Sequence, residues 1–130
     1  MAPQTTPTQV IQSMYEAFRR GDIPYILSQL APDAVWKQSQ SLPWGGEYRG
    51  PEGAGEYFRK LNENMETVGF EARENIEHGD QVFSFGTYTA RSRRTGKTAS
   101  AEWMFRWRLQ GGKVVSWQSY IDSAPLMSVL

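Results

Sequence analysis

The spacing of apolar residues divides the chain into a mainly helical first half and a second half made of strands. Apolar residues recur at helical spacing after Thr8, which predicts a helix that is capped by Thr8 and runs to Arg20. Asp22 is predicted to cap a second, short helix that continues as far as Leu30. A third helix is predicted to begin at Pro51, because apolar residues again repeat along one side.

After Gly69 the pattern changes to β-branched and aromatic runs separated by turn residues. The predicted strands are residues 34–38, 70–77, 82–94, 98–109 and 114–122. The stretch SLPWGGEYRG, rich in Gly and Pro, is predicted to be a loop. Helices followed by a meander of antiparallel strands predict an α+β domain, with the helices on one face of a curved sheet.

Length and composition narrow the class of protein. The 130 residues suit one domain, which we expect to span residues 8–130 after a flexible tail of residues 1–7. Fourteen basic residues balance fourteen acidic ones without a basic cluster, so no nucleic-acid partner is expected. No apolar run approaches the length of roughly 20 residues that a membrane span needs, so we expect a cytoplasmic protein with no membrane contact.

Two further counts bear on chemistry. The chain has no cysteine and one histidine, His78, so neither a disulfide nor a metal site is expected. It has five Trp, six Tyr and six Phe, which indicates an aromatic core, a cavity lined with rings, or an apolar interface.

The last predicted hairpin raises the main functional question, which is the direction of Asp122. If Gly111 and Gly112 form a two-residue turn, Ala101 faces Asp122 and Trp103 faces Tyr120. Asp122 then lies on the same face of the sheet as the rings of Trp103, Phe105 and Trp107. Helices must cover that face, because rings bury the most apolar area. A carboxylate among rings has a raised pKa and suits a general acid or base near neutral pH. The alternative is a hydrated carboxylate at the end of a strand.

The same register arithmetic predicts a second surface. A turn at Thr95 and Gly96 places Tyr88 opposite Trp103, and Ser84 opposite Trp107. The outer face then carries an apolar patch, which predicts a homodimer. The patch consists of Phe83, Phe85, Met104, Trp117 and Ile121. A slip of one residue would exchange the two faces, and a bulge would relax the prediction.

Four runs carry a family resemblance: FRRGDIPYILSQLAPDAVWKQ, PWGGEYRGPEGAGEYFRKL, HGDQVFSFGTYTARSRRTGK and FRWRLQGGKVVSWQSYIDSAPL. Their order over residues 9–126 resembles the SnoaL-like branch of the nuclear transport factor 2-like superfamily. The resemblance implies a cone-shaped, bent sheet closed by three N-terminal helices, with a deep apolar pocket. It also implies a cystatin-like α+β barrel and a dimer through the outer face of the sheet.

Related enzyme classes place their catalytic groups at positions that this chain fills differently. Ketosteroid isomerases use two Asp and one Tyr. The corresponding positions in this chain hold Gln38, Phe105 and Met14, so all three groups are missing. Limonene-type epoxide hydrolases carry an Arg-x-Asp where this chain has Gly86 and Tyr88. Neither mechanism is therefore expected here.

SnoaL-like cyclases resemble this chain best, and their last-strand Asp corresponds to Asp122. We expect Asp122 to act as acid or base and Tyr88 to stabilise an oxyanion beside it. The residues expected to bind the ligand are Trp36, Gln38, Trp44, Tyr48, Trp103, Phe105, Gln118 and Tyr120. The expected function is cofactor-free isomerase, cyclase or lyase chemistry on a small hydrophobic or aromatic carbonyl compound. There are two alternatives. One is a binding or accessory protein without catalysis, and the other is a dimerisation domain with a closed core.

Overall fold

The structure is a computed structural model that describes residues 5–130. Residues 1–4 of the expected tail lie outside the described residues. The helices are α1 (Pro7–Arg19), α2 (Ile23–Ser28), α3 (Gly50–Asn64) and α4 (Ala124–Val129), and the strands are β1 (Leu30–Gln38), β2 (Gly46–Arg49), β3 (Met65–His78), β4 (Gln81–Ser92), β5 (Thr98–Gln110) and β6 (Lys113–Ile121). The α+β class predicted from the sequence is confirmed.

The first helix begins before the predicted residue. Thr6 caps it, because the Thr6 hydroxyl accepts a bond of 3.1 Å from the Gln9 backbone N–H and the Gln9 side chain accepts one of 2.8 Å from Thr6. This reciprocal pair is a capping box. The predicted cap at Thr8 is wrong, since the Thr8 hydroxyl instead donates to Glu77 at the end of β3.

Three local predictions need correction. Leu30 belongs to a strand rather than a helix, because it pairs with Val114 in β6. The predicted loop of residues 41–50 contains β2, in which Tyr48 pairs with Trp36. The short helix α4 after the last strand was not predicted.

The strands form one mixed sheet. Their order is β2-β1-β6-β5-β4-β3, with β1 and β6 parallel and the other neighbours antiparallel. The sheet is curved but does not close into a barrel, so β2 and β3 are its two edges. Helices α1 and α3 pack against the inner face, where the buried core lies.

A bulge in β6 overturns the predicted register of the last hairpin. The turn itself is as predicted, since Gly111 and Gly112 have φ of 56° and 78° and Leu109 pairs with Val114. The pairing then shifts so that Arg108 lies opposite Ser116, which leaves Val115 as an extra residue. Because the side chains of a strand alternate, one extra residue exchanges the faces of everything that follows.

The hairpin between β4 and β5 differs from its prediction in a less consequential way. Tyr88 pairs with Ala101, and Ser84 pairs with Phe105, a displacement of two residues from the predicted partners. A displacement of two keeps every side chain on its predicted face. Phe83 and Phe85 therefore lie on the outer face as predicted.

The edge strand β3 is long and interrupted. Its pairing with β4 shifts near Val68 and again near Arg73. Its exposed residues are mostly charged, as in Glu66, Glu71 and Glu74. Within residues 5–130, no helix has both the length and the apolar character needed to cross a bilayer.

Candidate functional site

A pocket lies between the inner face of the sheet and the helices. The cavity has a volume of about 70 Å3. Apolar and aromatic side chains make up nearly all of its walls. The lining residues are Met14, Tyr15, Phe18, Ile26, Trp36, Gln38, Trp44, Tyr57, Phe58, Leu61, Phe70, Tyr88, Phe105, Trp107, Trp117, Ile121 and Leu126. The lining suits an apolar molecule, but the volume is below the roughly 300–1,000 Å3 of ordinary ligand pockets, so the walls must move apart to admit an aromatic ligand.

Three tryptophans form a row across adjacent strands. Trp36 on β1 is the register partner of Trp117 on β6, which is the partner of Trp107 on β5. The Trp36 and Trp117 rings stack with centroids 4.3 Å apart, and Trp107 meets Trp36 edge-on at 5.7 Å. Each such pair contributes about 0.5–1.5 kcal/mol beyond its buried area. The three rings together form one aromatic wall of the pocket, the tryptophan wall.

One polar pair lies within this apolar lining. The Gln38 amide nitrogen donates a hydrogen bond of 3.1 Å to the Tyr57 hydroxyl. The Gln38 carbonyl oxygen accepts one of 2.8 Å from the Ser39 backbone N–H. β1 supplies Gln38 at its end and α3 supplies Tyr57 on its inward side. Burial raises the pKa of the Tyr57 phenol, so it stays protonated at neutral pH.

Two other phenols reach the pocket. The Tyr15 hydroxyl accepts a bond of 2.8 Å from the Trp107 indole nitrogen, and burial raises the pKa of Tyr15. The Tyr88 hydroxyl shares a bond of 3.0 Å with Thr67, and burial raises the pKa of Tyr88 to about 12. All three pocket phenols are therefore neutral hydrogen-bonding groups at physiological pH.

The predicted orientation of Asp122 is wrong. The bulge at Val115 turns Asp122 to the outer face, where its backbone N–H donates to the Glu102 carbonyl oxygen at 2.9 Å. Its side chain is exposed and does not line the pocket. Among the lining residues just named, none carries a carboxylate, an imidazole or an amine.

The structure divides the predicted site residues into two groups. Those that line the pocket are Trp36, Gln38, Trp44, Tyr88 and Phe105. Tyr120 is 48% exposed on the outer face, and Gln118 lies beside Arg106 on that same face, because the bulge reverses both. Trp103 is buried and stacks on Phe105, but it does not line the pocket.

Tyr48 also lies outside the pocket lining. Its ring packs edge-on against Tyr57 at 5.6 Å, and its hydroxyl donates to the Trp44 carbonyl oxygen at 3.0 Å. Tyr48 thus stabilises the loop that carries Trp44 and packs against the ring of Tyr57.

Sequence reasoning missed several pocket residues. Trp117 and Ile121 were assigned to the outer face through the register error. Tyr57 and Trp107 were on the predicted inner faces of α3 and β5, which was a usable signal, but neither was singled out. Tyr15 was likewise on the apolar side of the first predicted helix.

Some buried donors in this region have no protein partner among residues 5–130. They include the indole N–H groups of Trp36 and Trp117, and that of Trp103. A buried N–H without a partner costs about 1–3 kcal/mol. Of these three residues, Trp36 and Trp117 line the pocket.

Comparison with known families and structures agrees with this fold. The family model for a SnoaL-like domain matches residues 11–117, so the chain belongs to the SnoaL-like family. The six-stranded curved sheet and its helices are the nuclear transport factor 2-like fold. No curated protein matches the sequence significantly.

Three solved structures illustrate the similarity. An NTF2-like protein from Burkholderia thailandensis is 28% identical, with a TM-score of 0.90, covering 97% of this chain and 98% of that one. An NTF2-like protein of unknown function from Burkholderia pseudomallei is 25% identical, with a TM-score of 0.89 and coverage of 97% and 98%. TerC, co-crystallised with polyporic acid, is 29% identical, with a TM-score of 0.87 and coverage of 95% and 98%.

Proposed function

We propose that the protein binds a small, flat aromatic molecule bearing carbonyl or phenolic oxygens. The observation that carries this proposal is the make-up of the pocket walls, in which aromatic rings surround a few hydrogen-bonding groups. Stacking against Trp36 and Trp117 favours an aromatic ligand. The hydroxyl groups of Tyr15, Tyr57 and Tyr88 favour a ligand that offers acceptor oxygens.

TerC supports the same ligand class. That protein was co-crystallised with polyporic acid. Chemically, polyporic acid is a benzoquinone that carries phenyl and hydroxyl substituents. The molecule combines aromatic rings with acceptor oxygens, as the pocket of this chain favours. Polyporic acid is therefore the first compound to test.

Catalysis of an isomerase, cyclase or lyase type is the second candidate function. The neutral Tyr57 phenol favours it, since a protonated hydroxyl in an apolar pocket stabilises negative charge that develops on a carbonyl oxygen. With Asp122 outside the pocket, an oxygen of the substrate or a water molecule would have to accept the proton from carbon.

Binding is tested by titrating the protein with polyporic acid while following tryptophan fluorescence. Ile121→Trp would fill the pocket, and Tyr120→Trp is a matched control on the opposite face of the same strand. We expect saturable binding by the wild type and Tyr120→Trp, and its loss in Ile121→Trp. Absence of binding by the wild type, or equal binding by a folded Ile121→Trp variant, would contradict the proposal.

Catalysis is tested separately by deuterium uptake. 1-Tetralone in deuterated buffer exchanges the protons beside its carbonyl, and NMR measures the rate with and without protein. The catalytic candidate requires faster exchange in the presence of protein. An unchanged rate with a bound ligand would leave the protein as a binding protein.

We also propose that two copies associate through the outer face of the sheet. Phe85, Met104 and Tyr120 are cross-strand partners on three adjacent strands and form the outer row. Phe85 is 37% and Tyr120 is 48% exposed. The charged pair Arg73–Glu102 lies on the same face, so the surface carries both signs and suits a second copy of itself.

A further inference from the structure

We infer that the Tyr57 hydroxyl donates a hydrogen bond to the carbonyl oxygen of the ligand, and that Gln38 positions this hydroxyl. The inference rests on the proposed function and names the donor within that pocket. The Gln38 amide makes two hydrogen bonds whose directions determine what the Tyr57 hydroxyl can do.

The Gln38 amide has only one possible orientation. Its oxygen lies 2.8 Å from the Ser39 backbone nitrogen, and a backbone N–H can only donate. The other end of the amide is therefore the NH2 group, which lies 3.1 Å from the Tyr57 oxygen. Because an amide NH2 can also only donate, Tyr57 must be the acceptor of that bond.

The hydroxyl proton of Tyr57 is therefore not used in the bond with Gln38. A phenol that accepts one hydrogen bond still has its own O–H to donate. No acceptor for this proton is found among residues 5–130. Gln38 is 7% and Tyr57 is 5% exposed, so both groups are more than nine-tenths buried and bulk water does not compete freely for the proton.

The neighbouring phenols make hydrogen bonds with other partners. Tyr48 donates its proton to the Trp44 and Gly45 carbonyl oxygens at 3.0 and 3.2 Å. Tyr88 is bonded to Thr67, and Tyr15 accepts a bond from Trp107. Tyr15 shares with Tyr57 the pattern of a single accepted bond. What distinguishes Tyr57 is its place beside the stacked rings of Trp36 and Trp117.

The location of Tyr57 matches the proposed ligand position. Its ring lies 6.0 Å from the Trp36 ring and 5.6 Å from the Trp117 ring, at the stacked pair. A flat molecule stacked on the tryptophan wall would therefore lie beside the phenol. A carbonyl at the edge of that molecule would receive the proton that no protein group accepts.

The test uses 9-fluorenone and fluorene, which share a flat aromatic skeleton and differ in one carbonyl oxygen. Dissociation constants are measured by tryptophan fluorescence for the wild type, Tyr57→Phe, Gln38→Leu and Tyr48→Phe. We expect the wild-type preference for fluorenone over fluorene to fall about tenfold in Tyr57→Phe, the loss of one hydrogen bond. Gln38→Leu should reduce the same ratio, and Tyr48→Phe should leave it unchanged.

The ratio separates donation from packing, because a merely structural role would change the affinity of both probes equally. Infrared spectroscopy gives a second readout on the wild-type protein, which does not depend on the folding of a variant. The carbonyl stretch of bound fluorenone should lie at lower frequency than in an apolar solvent.

Each result has a distinct meaning. Binding of both probes with an unchanged ratio in Tyr57→Phe, or an unshifted carbonyl stretch, would overturn the role of Tyr57 while the aromatic pocket stands. Binding of neither probe by the wild type would overturn the proposed function, and the inference with it.

Discussion

The indole nitrogen of Trp107 donates a hydrogen bond of 2.8 Å to the hydroxyl of Tyr15, which joins β5 to α1 beside the pocket. Trp107 is 2% and Tyr15 is 4% exposed, so water cannot replace either partner. The two rings also contact each other edge-on at 5.9 Å. The position of the first helix over the sheet is therefore set by a directional bond as well as by apolar packing.

Tyr15→Phe should destabilise the fold. The substitution keeps the ring but leaves the buried Trp107 N–H without a partner, which costs about 1–3 kcal/mol. Urea denaturation measures the change. Tyr25→Phe is the control, because the Tyr25 hydroxyl bonds to Ser13 at 2.8 Å in a half-buried site where water can substitute. Equal losses in the two variants would show that burial of the bond is unimportant.

Asp122→Asn should leave ligand binding unchanged. The Asp122 side chain is exposed on the outer face, away from the pocket lining. Polyporic acid or fluorenone should bind the variant with the wild-type dissociation constant, and any tetralone exchange should proceed at the wild-type rate. A large loss of exchange activity would restore Asp122 as the acid or base and would require a different register in β6.

The stability of the protein should fall as pH rises between about 10 and 12. Burial raises the pKa of Tyr88 to about 12 in the folded state, whereas an unfolded tyrosine titrates near its ordinary value of about 10. Between these values the unfolded chain has released a proton that the folded chain keeps. Unfolding is therefore favoured increasingly with pH, and the contribution is fully present only below pH of about 10.

Tyr88→Phe isolates this contribution. Urea denaturation at several pH values should give a shallower decline than in the wild type, by at most about 1.4 kcal/mol per pH unit. Tyr15 and Tyr57, whose pKa values are also raised by burial, remain in the variant and keep part of the slope. Identical slopes in the two proteins would mean that Tyr88 ionises as easily in the folded state as in the unfolded one.

A charge in the outer row should prevent the proposed association of two copies. Met104 lies between Phe85 and Tyr120 in the row, so Met104→Glu would place a carboxylate at its centre. Light scattering after gel filtration should give a dimer for the wild type and a monomer for this variant. Gln12→Glu adds the same charge on an exposed position of α1 and should remain dimeric. A monomeric wild type would contradict the proposal.

Much of the fold follows from local patterns in the sequence. The three helices before residue 65 and the long strands after it are specified by apolar spacing and by turn glycines. The turn at Gly111 and Gly112 is an example, because positive φ at both positions is what a tight hairpin requires. Chain order and these local patterns also placed the chain in its family.

The candidate site depended on a feature that these patterns do not show. Val115 is bulged, and its sequence surroundings are those of an ordinary strand residue. The effect of the bulge appears only in the packing of the folded protein, where Trp117 lies on the inner face against Trp36 rather than on the outer face. Tertiary packing of large rings thus decided between two registers that local geometry allowed equally.

The pairing of Gln38 with Tyr57 was unpredictable for a different reason. The two residues lie 19 positions apart on a strand and a helix, so their contact depends on the curvature of the sheet and the tilt of α3. Of the two, only Gln38 was identified as a ligand-binding residue, because it is an amide at the position where ketosteroid isomerases carry a catalytic Asp.

The form of β3 also limits how the protein can aggregate. Its free backbone groups would otherwise offer a template for another strand, but two irregularities and a series of carboxylates, including Glu66, Glu71 and Glu74, interrupt and repel such an addition. Growth of an extended sheet from one molecule to the next is thereby disfavoured along this edge.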